Sequence, residues 1–170
     1  IHPNNLKKDK VIVGGTKNIH LEKIKALQPD IILFNKEENT KEIVKNCSLI
    51  TTTHDSDIST IKEILALIAY YSTLFSCEEK AYILTKELQD KIKNFNHFIE
   101  DKPKLKVVYF IWKNPWMVAA NHTFINHLLE LTKLENCYKE ENRYPEIFLE
   151  DVRTKKIDAI FLSSEPYPFK

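Results

Sequence analysis

The chain has 170 residues, 43% of them hydrophobic, with 25 Lys and Arg against 24 Asp and Glu. That is enough apolar content for a core in one domain or two small lobes, and the near-neutral balance excludes the basic footprint of a nucleic-acid or anionic-membrane binder. No apolar run approaches the roughly 20 residues of a membrane-spanning helix.

Taken in order, Ile1–Asn5 reads as a loop, and Val11-Ile12-Val13 as a short strand ending in Gly14-Gly15-Thr16. The GxGxxG and GxxxxGK[ST] spacings of phosphate loops are absent, so the glycine pair reads as a tight turn. Asn18 suits a helix N-cap, with Leu21, Ile24 and Leu27 inward before Pro29 stops the helix. Ile31-Ile32-Leu33-Phe34 is a continuous apolar run, which predicts a strand covered on both faces. A polar loop Asn35–Asn39, a helix Thr40–Lys45 and a strand Ser48–Thr52 follow. Such alternation argues for a parallel sheet.

Thr60 and Glu63 open a helix whose inner face is Ile61, Ile64, Leu65, Ile68, Tyr71 and Phe75. Next comes the longest periodic stretch, Cys77–Glu100, with Ala81, Leu84, Leu88, Ile92, Phe95 and Ile99 at steps of three and four. Ser76 and Glu79 suggest a capping box there, and the stretch predicts a rod of roughly 35 Å. Lys106–Trp112 is the strongest strand signal; Met117–Ala119 reads as a short strand, and Asn121 or Thr123 as the cap of a helix carrying Phe124, Leu128 and Leu131. Asn142–Pro145 is a loop, and Ser163–Phe169 is too proline-rich to continue a strand.

Two segments resemble each other at a constant offset: Leu21-Glu22-Lys23-Ile24 with Asp30–Glu37, and Leu149-Glu150-Asp151-Val152 with Asp158–Glu165. Each reads as a short helix, a tight connection, then a strand running into a polar loop. The expected architecture is therefore α/β: two Rossmann-like lobes with mostly parallel sheets, joined by one long helix. The expected boundaries are 1–75 for the first lobe, 76–101 for the linking helix and 102–170 for the second. Since the chain opens at Ile1 rather than Met and stops at Lys170 just after a strand, both ends are expected to be cut.

Ligands of open parallel sheets sit beyond the carboxyl ends of the strands. Those ends carry Asn35-Lys36-Glu37, Trp112-Lys113-Asn114-Pro115-Trp116 and Ser164-Glu165-Pro166-Tyr167, which suit a bulky, partly apolar ligand gripped by stacking and a few polar contacts. Trp112 reads equally as core or site, whereas Trp116, beyond the strand, favours the site, as does Arg143-Tyr144 in its loop. Lys36, Glu165 and Tyr167 complete the candidate set. His2 is a further candidate for ligand contact if it ends a strand that belongs to the missing amino terminus. Glu37 and Glu165, related by the repeat, read as loop polar groups more than as an acid/base pair. Glu22 and Glu150, each in the first turn of a helix where a carboxylate is favoured, offer a two-point electrostatic plug for a symmetric basic partner.

The six histidines show no metal-ligand spacing, the three cysteines Cys47, Cys77 and Cys137 include no CxxC pair, and no serine nucleophile has an elbow around it. The chain reads as non-enzymatic, with no catalytic or metal residues and no resident cofactor.

Several motifs carry a family resemblance. They are Asn18–Ile24 with Leu27-Gln28-Pro29-Asp30, Phe34–Asn39, Ile111–Ala119, Thr123–Asn126, Arg143–Glu146 and Leu162–Phe169. In this order, over nearly the whole chain, they resemble the substrate-binding proteins of cobalamin and ferric-siderophore ABC importers, the helical-backbone metal receptors. The resemblance implies two α/β lobes bridged by one helix, a corrinoid, ferric siderophore or haem as ligand, and delivery to a membrane permease. It further implies permease docking by Glu22 and Glu150, cleft positions at Trp112, Trp116, Arg143, Tyr144 and Glu165, and a monomer that is periplasmic or membrane-anchored outside the cytoplasm. Relative to the family, the first and last strand and helix are missing, and Ala120 stands where a glycine is expected. The aromatic residues, without a basic cluster, lean toward a corrinoid. The alternatives are an enzyme on a related two-lobed scaffold, chelatase-like, or a receptor for free zinc or manganese.

Overall fold

The computed structural model describes residues 5–165 and 167–169; His2 lies outside them, so its expected ligand contact has no structural counterpart. The chain divides into two compact units, Ile1–Asp57 and Ile58–Lys170.

In the first unit, α1 (Leu6–Asp9) is a single turn. The strand expected at Val11–Val13 does not form, and Val11 and Ile12 are exposed. The pairing here is one bridge between Gly14 and Ile19, closed by the Gly15 N–H donating to the Asn18 carbonyl at 2.7 Å. Gly14 has φ +121°, and a Cβ there would lie 2.3 Å from the Asn18 oxygen, so the glycine pair is a turn and not a phosphate cradle. Because Asn18 closes that turn, α2 (Leu21–Ala26) starts after His20 and not after an asparagine cap.

β1 (Ile31–Asn35) and β2 (Thr52–Ser56) pair in parallel, with Ile31 opposite Thr52 and Asn35 opposite Ser56. Between them α3 (Lys41–Ser48) is capped by Thr40, whose Oγ1 accepts from the Ile43 N–H at 3.3 Å. This helix extends through Ser48, which displaces the strand expected at Ser48–Thr52 to Thr52 and beyond. Ile24, Phe34, Ile43 and the fully buried Cys47 form the core of the unit. Leu33 points the other way and is 41% exposed, so β1 has one covered face where the apolar run predicted two.

The second unit begins with α4 (Ile61–Leu74), held by the expected capping box of Thr60 and Glu63. Hydrogen bonds from Ser59 and Thr60 hold the Glu63 carboxyl below the usual glutamate range. Next is α5 (Glu78–Ile99), 22 residues long. Its covered side is Ala81, Thr85, Leu88, Ile92, Phe95 and Ile99, a strict four-three alternation. Leu84, assigned inward from sequence, is 53% exposed, because that phase places Thr85 inward instead. Ser76 does not form its expected capping box: it has φ +49°, outside the extended region an N-cap requires, and Cys77 takes the position without a side-chain bond. Both helices fall with the second unit, whereas the expected boundaries put α4 in the first lobe and set 76–101 apart; α4 packs on α5.

The sheet of this unit is built around β3 (Leu105–Trp112). Its flanking strands are β4 (Met117–Val118), antiparallel, and β5 (Leu134–Asn136) and β6 (Ala159–Leu162), both parallel. Alternate carbonyls of β3 serve opposite edges. Val107 and Tyr109 accept from Cys137 and Ala119, while Lys106 and Phe110 accept from Asp158 and Ser163. Val107 and Val108 point to opposite faces and both are fully buried, so β3 is covered on both sides. Val108, Phe110, Val118, Ala120, Tyr138 and Val152 form the main core. α6 (Phe124–Leu131) is capped by Thr123, and α7 (Leu149–Thr154) precedes β6.

The internal repeat is real. α2 and α7 are six residues each and start at Leu21 and Leu149; β1 and β6 start at Ile31 and Ala159, the same separation along the chain. The equivalent residues Ile24 and Val152 are each buried in the core of their own unit.

Candidate functional site

β3 runs out of the core at its carboxyl end and turns through Lys113–Trp116 into β4. Phe110 is buried 3% exposed at the base, and Trp112 emerges 37% exposed at the top. The strand ends in a contiguous cluster of five rings. Phe110 meets Trp116 edge-on at 5.4 Å; Trp116 stacks on Phe169 at 6.1 Å; Phe169 meets Tyr167 at 4.8 Å; Tyr167 meets Trp112 at 5.3 Å. Edge-to-face and offset geometries at these separations are the favourable ones for aromatic quadrupoles. The cluster is thus anchored in the core through Phe110 and opens to solvent through Trp112.

Beside it lies a recess of about 380 Å³ lined by Lys113, Trp116, Leu162, Tyr167, Pro168 and Phe169. The Lys113 ammonium sits over the Trp116 ring, 5.6 Å from its centroid. Apolar walls with one polar group at the edge are the composition of a site for a flat, largely hydrophobic molecule.

The sequence named Trp112, Trp116 and Tyr167, and the structure brings all three together. Arg143 and Tyr144 lie on the segment that pairs with 116–121, antiparallel at the Met117–Glu146 bridge and parallel at the Asn121–Asn142 bridge. Arg143 exchanges both backbone bonds with that segment, its N–H donating to Asn121 and its carbonyl accepting from Ala120, each at 2.8 Å. Ile147 N–H donates to the Trp116 carbonyl at 2.9 Å. The Arg143 guanidinium is 5.6 Å from the centre of the Tyr144 ring. Glu165 is exposed and does not line the recess.

Lys36 lies in the first unit and is ion-paired with Asp57. The loop after it is rigid: Asn35 Oδ1 accepts from the Glu37 N–H at 2.9 Å, and Asn39 Oδ1 accepts from the Asn35 N–H at 3.0 Å. Glu22 is 85% exposed in the first turn of α2 and bonded to Lys25 at 2.8 Å; Glu150 is exposed in the first turn of α7.

Sequence reasoning missed Lys113, Leu162 and Phe169. Phe169 carried a usable signal, since Tyr167 and Phe169 alternate across a proline and so share one side of an extended segment. Among the described residues, no three His, Cys, Asp or Glu side chains come together as metal ligands, and no helix is long and apolar enough to cross a membrane.

A family model described as "Periplasmic binding protein" matches residues 2–167. The chain belongs to the periplasmic binding protein family. Among the relatives of this binding protein, a vitamin B12-binding protein of Pectobacterium carotovorum is 25% identical over 160 residues, covering 91% of this chain and 57% of that protein. The chain thus spans little more than half the length of that relative. The periplasmic vitamin B12-binding protein of Vibrio cholerae superposes with a TM-score of 0.80 at 22% identity, over 95% of this chain and 64% of that one. An S. aureus protein complexed with haem superposes with a TM-score of 0.78 at 19% identity, over 94% and 63%. At these identities the two superpositions establish the fold, the α/β class the sequence predicted.

Proposed function

We propose that this periplasmic binding protein is the ligand-capturing component of an ABC importer for a metal chelate. The cargo would be a corrinoid, haem or ferric siderophore handed to a membrane permease outside the cytoplasm. The observation that carries this is the aromatic cluster at the end of β3: a recess that stacks but offers no nucleophile or acid–base pair suits binding over turnover. Relatives named for vitamin B12, and a structural neighbour holding haem, support the same ligand class. The chelate is cargo in this reading, and the protein works as a monomer without a resident cofactor. Trp112, Trp116 and Tyr167 hold the ligand plane, with Arg143 and Tyr144 flanking it. Glu22 and Glu150 are the permease-facing acids, exposed and free of the recess.

The deciding experiment is a titration of the protein with cyanocobalamin, cobinamide, haem and ferric siderophores. It is read by tryptophan quenching, corrected for ligand absorbance, and by thermal shift. Saturable binding of one class at micromolar concentration or tighter is the expected result. Turnover of a nucleotide or ester substrate, with no response to any chelate, would overturn the reading.

A further inference from the structure

Among the described residues, the lining of the aromatic recess contains one charged side chain, and it is a cation. Lys113, at the first position of the β3–β4 turn, carries its ammonium over the face of Trp116. The other lining residues, Trp116, Leu162, Tyr167, Pro168 and Phe169, bring no charge. Among the described residues no carboxylate lies within ion-pair distance of Lys113, whereas Lys25, Lys36 and Lys139 do have such partners. Glu165, two positions before Tyr167, lines no part of the recess. The ammonium therefore stands solvent-exposed at the edge of an apolar wall, within reach of an anionic group on an incoming ligand.

Geometry adds to charge. A flat ligand stacked on Trp116 or Phe169 would bring its periphery to the Lys113 end of the recess, and a lysine reaches such a group as a mobile point charge with three donors. Lifting the ammonium off the indole replaces a weak contact with a charge-assisted hydrogen bond.

We infer that Lys113 is a specificity-determining residue, which makes this recess select planar ligands bearing a peripheral carboxylate over those whose periphery is neutral amide or ester. The inference rests on the recess being the ligand site proposed above. It reverses the lean toward a corrinoid drawn from the scarcity of basic residues, because one cation placed at the wall counts for more than a cluster elsewhere.

The test compares one ring system in two charge states: protoporphyrin IX with free propionates and its dimethyl ester, in the same detergent-containing buffer, with cyanocobalamin alongside. Wild type, Lys113→Met and Lys113→Arg are titrated by fluorescence quenching at low and high salt, and far-UV circular dichroism confirms that each folds. Lys113→Met is expected to weaken the dicarboxylate about five- to tenfold and leave the diester unchanged. Lys113→Arg restores the preference, and high salt shrinks it in wild type but not in Lys113→Met. Equal loss for both charge states, or no loss for either, overturns the role of Lys113 while the proposed ligand class stands. If wild type binds no porphyrin, this inference falls; the ligand class falls with it only if corrinoids and ferric siderophores fail as well.

Discussion

The Asn136 side-chain amide joins two elements of the second unit: its Nδ2 donates to Asn126 Oδ1 at 2.8 Å on α6 and to the Ala119 carbonyl at 2.9 Å beyond β4. Its own oxygen accepts from the Tyr138 N–H at 3.0 Å. Asn126 in turn donates to Glu130 and is capped from below by Thr123, whose hydroxyl donates to the Ala120 carbonyl. Asn136, Asn126 and Thr123 are each at most 4% exposed. A network this complete fixes the path from β4 into α6.

Asn136→Ala should therefore cost more than one hydrogen bond. It leaves the Ala119 carbonyl and the Tyr138 N–H buried without their partner, and such orphaned groups cost about 1–3 kcal/mol each. A loss of about 3 kcal/mol is expected, measured as a lower urea midpoint with an unchanged m-value. A loss below 1 kcal/mol would mean that water replaces the amide and the network is not structural.

Tyr138 offers the opposite case. Its hydroxyl is buried with no hydrogen-bond partner among the described residues, while its ring packs in the main core under the Lys155 ammonium at 4.8 Å. Removing the hydroxyl keeps the ring and the cation contact, so Tyr138→Phe is expected to raise stability by about 1 kcal/mol. Burial, then Asp151, Cys137 and Glu141, push the phenol pKa upward. A tyrosine whose folded pKa is raised contributes stability that is full below the unfolded value, about 10, and lost as pH rises from there through the raised folded value. The phenylalanine variant should lack that alkaline loss. Denaturation midpoints at neutral pH and above pH 10 check both parts, and a destabilised variant would show that the hydroxyl has a partner.

The two tryptophans separate fold from binding. Trp116 packs on Phe110 and on the core, so Trp116→Ala should lower stability by about 2 kcal/mol as well as ligand affinity. Trp112 is on the open rim of the cluster and touches Tyr167. Trp112→Ala should change stability by less than about 1 kcal/mol yet weaken the chelate about tenfold. Parallel thermal melts and ligand titrations distinguish the two, and a rim variant that binds normally would move the ligand away from this end of β3.

How much of this was legible from sequence follows from the range of the forces involved. The repeat was readable because each copy is local: a six-residue helix and the strand after it, with Ile24 and Val152 marking the inward phase. Thr60 was readable as a cap for the same reason, and Thr123 as one of two candidates with Asn121, whereas Thr40, read as the first residue of its helix, is that helix's cap. Ser76 was not, because a left-handed φ set by the α4–α5 turn overrode its side-chain chemistry. β5 is three residues long, too short for any period, and owes its existence to the edge of β3. In the site, Trp112, Trp116 and Tyr167 could be named from their place after strands. Lys113 could not, since it acquires its meaning from the Trp116 ring it covers, and Phe169 was signalled only by its alternation with Tyr167, its partner Trp116 lying 53 positions away.

Glu22 and Glu150 give the last test, on the partner side. They occupy equivalent first-turn positions of α2 and α7, both exposed, and Glu22 is tied only to Lys25 within its own helix. Neither supports a core, and an exposed pair of this kind contributes about 0.3–0.5 kcal/mol, so charge reversal at both sites should barely move the melting temperature. Neither lines the recess, so chelate affinity should also hold. A basic permease surface would instead meet two repulsive charges in place of two attractive ones. Glu22→Lys combined with Glu150→Lys is then expected to weaken permease binding at least tenfold, mostly through slower association, with the difference shrinking as salt rises. Surface plasmon resonance on permease in nanodiscs, beside chelate titration of the same variant, measures both. Permease binding that survives the double reversal would remove these acids from the interface, and lost chelate binding would place them at the ligand instead.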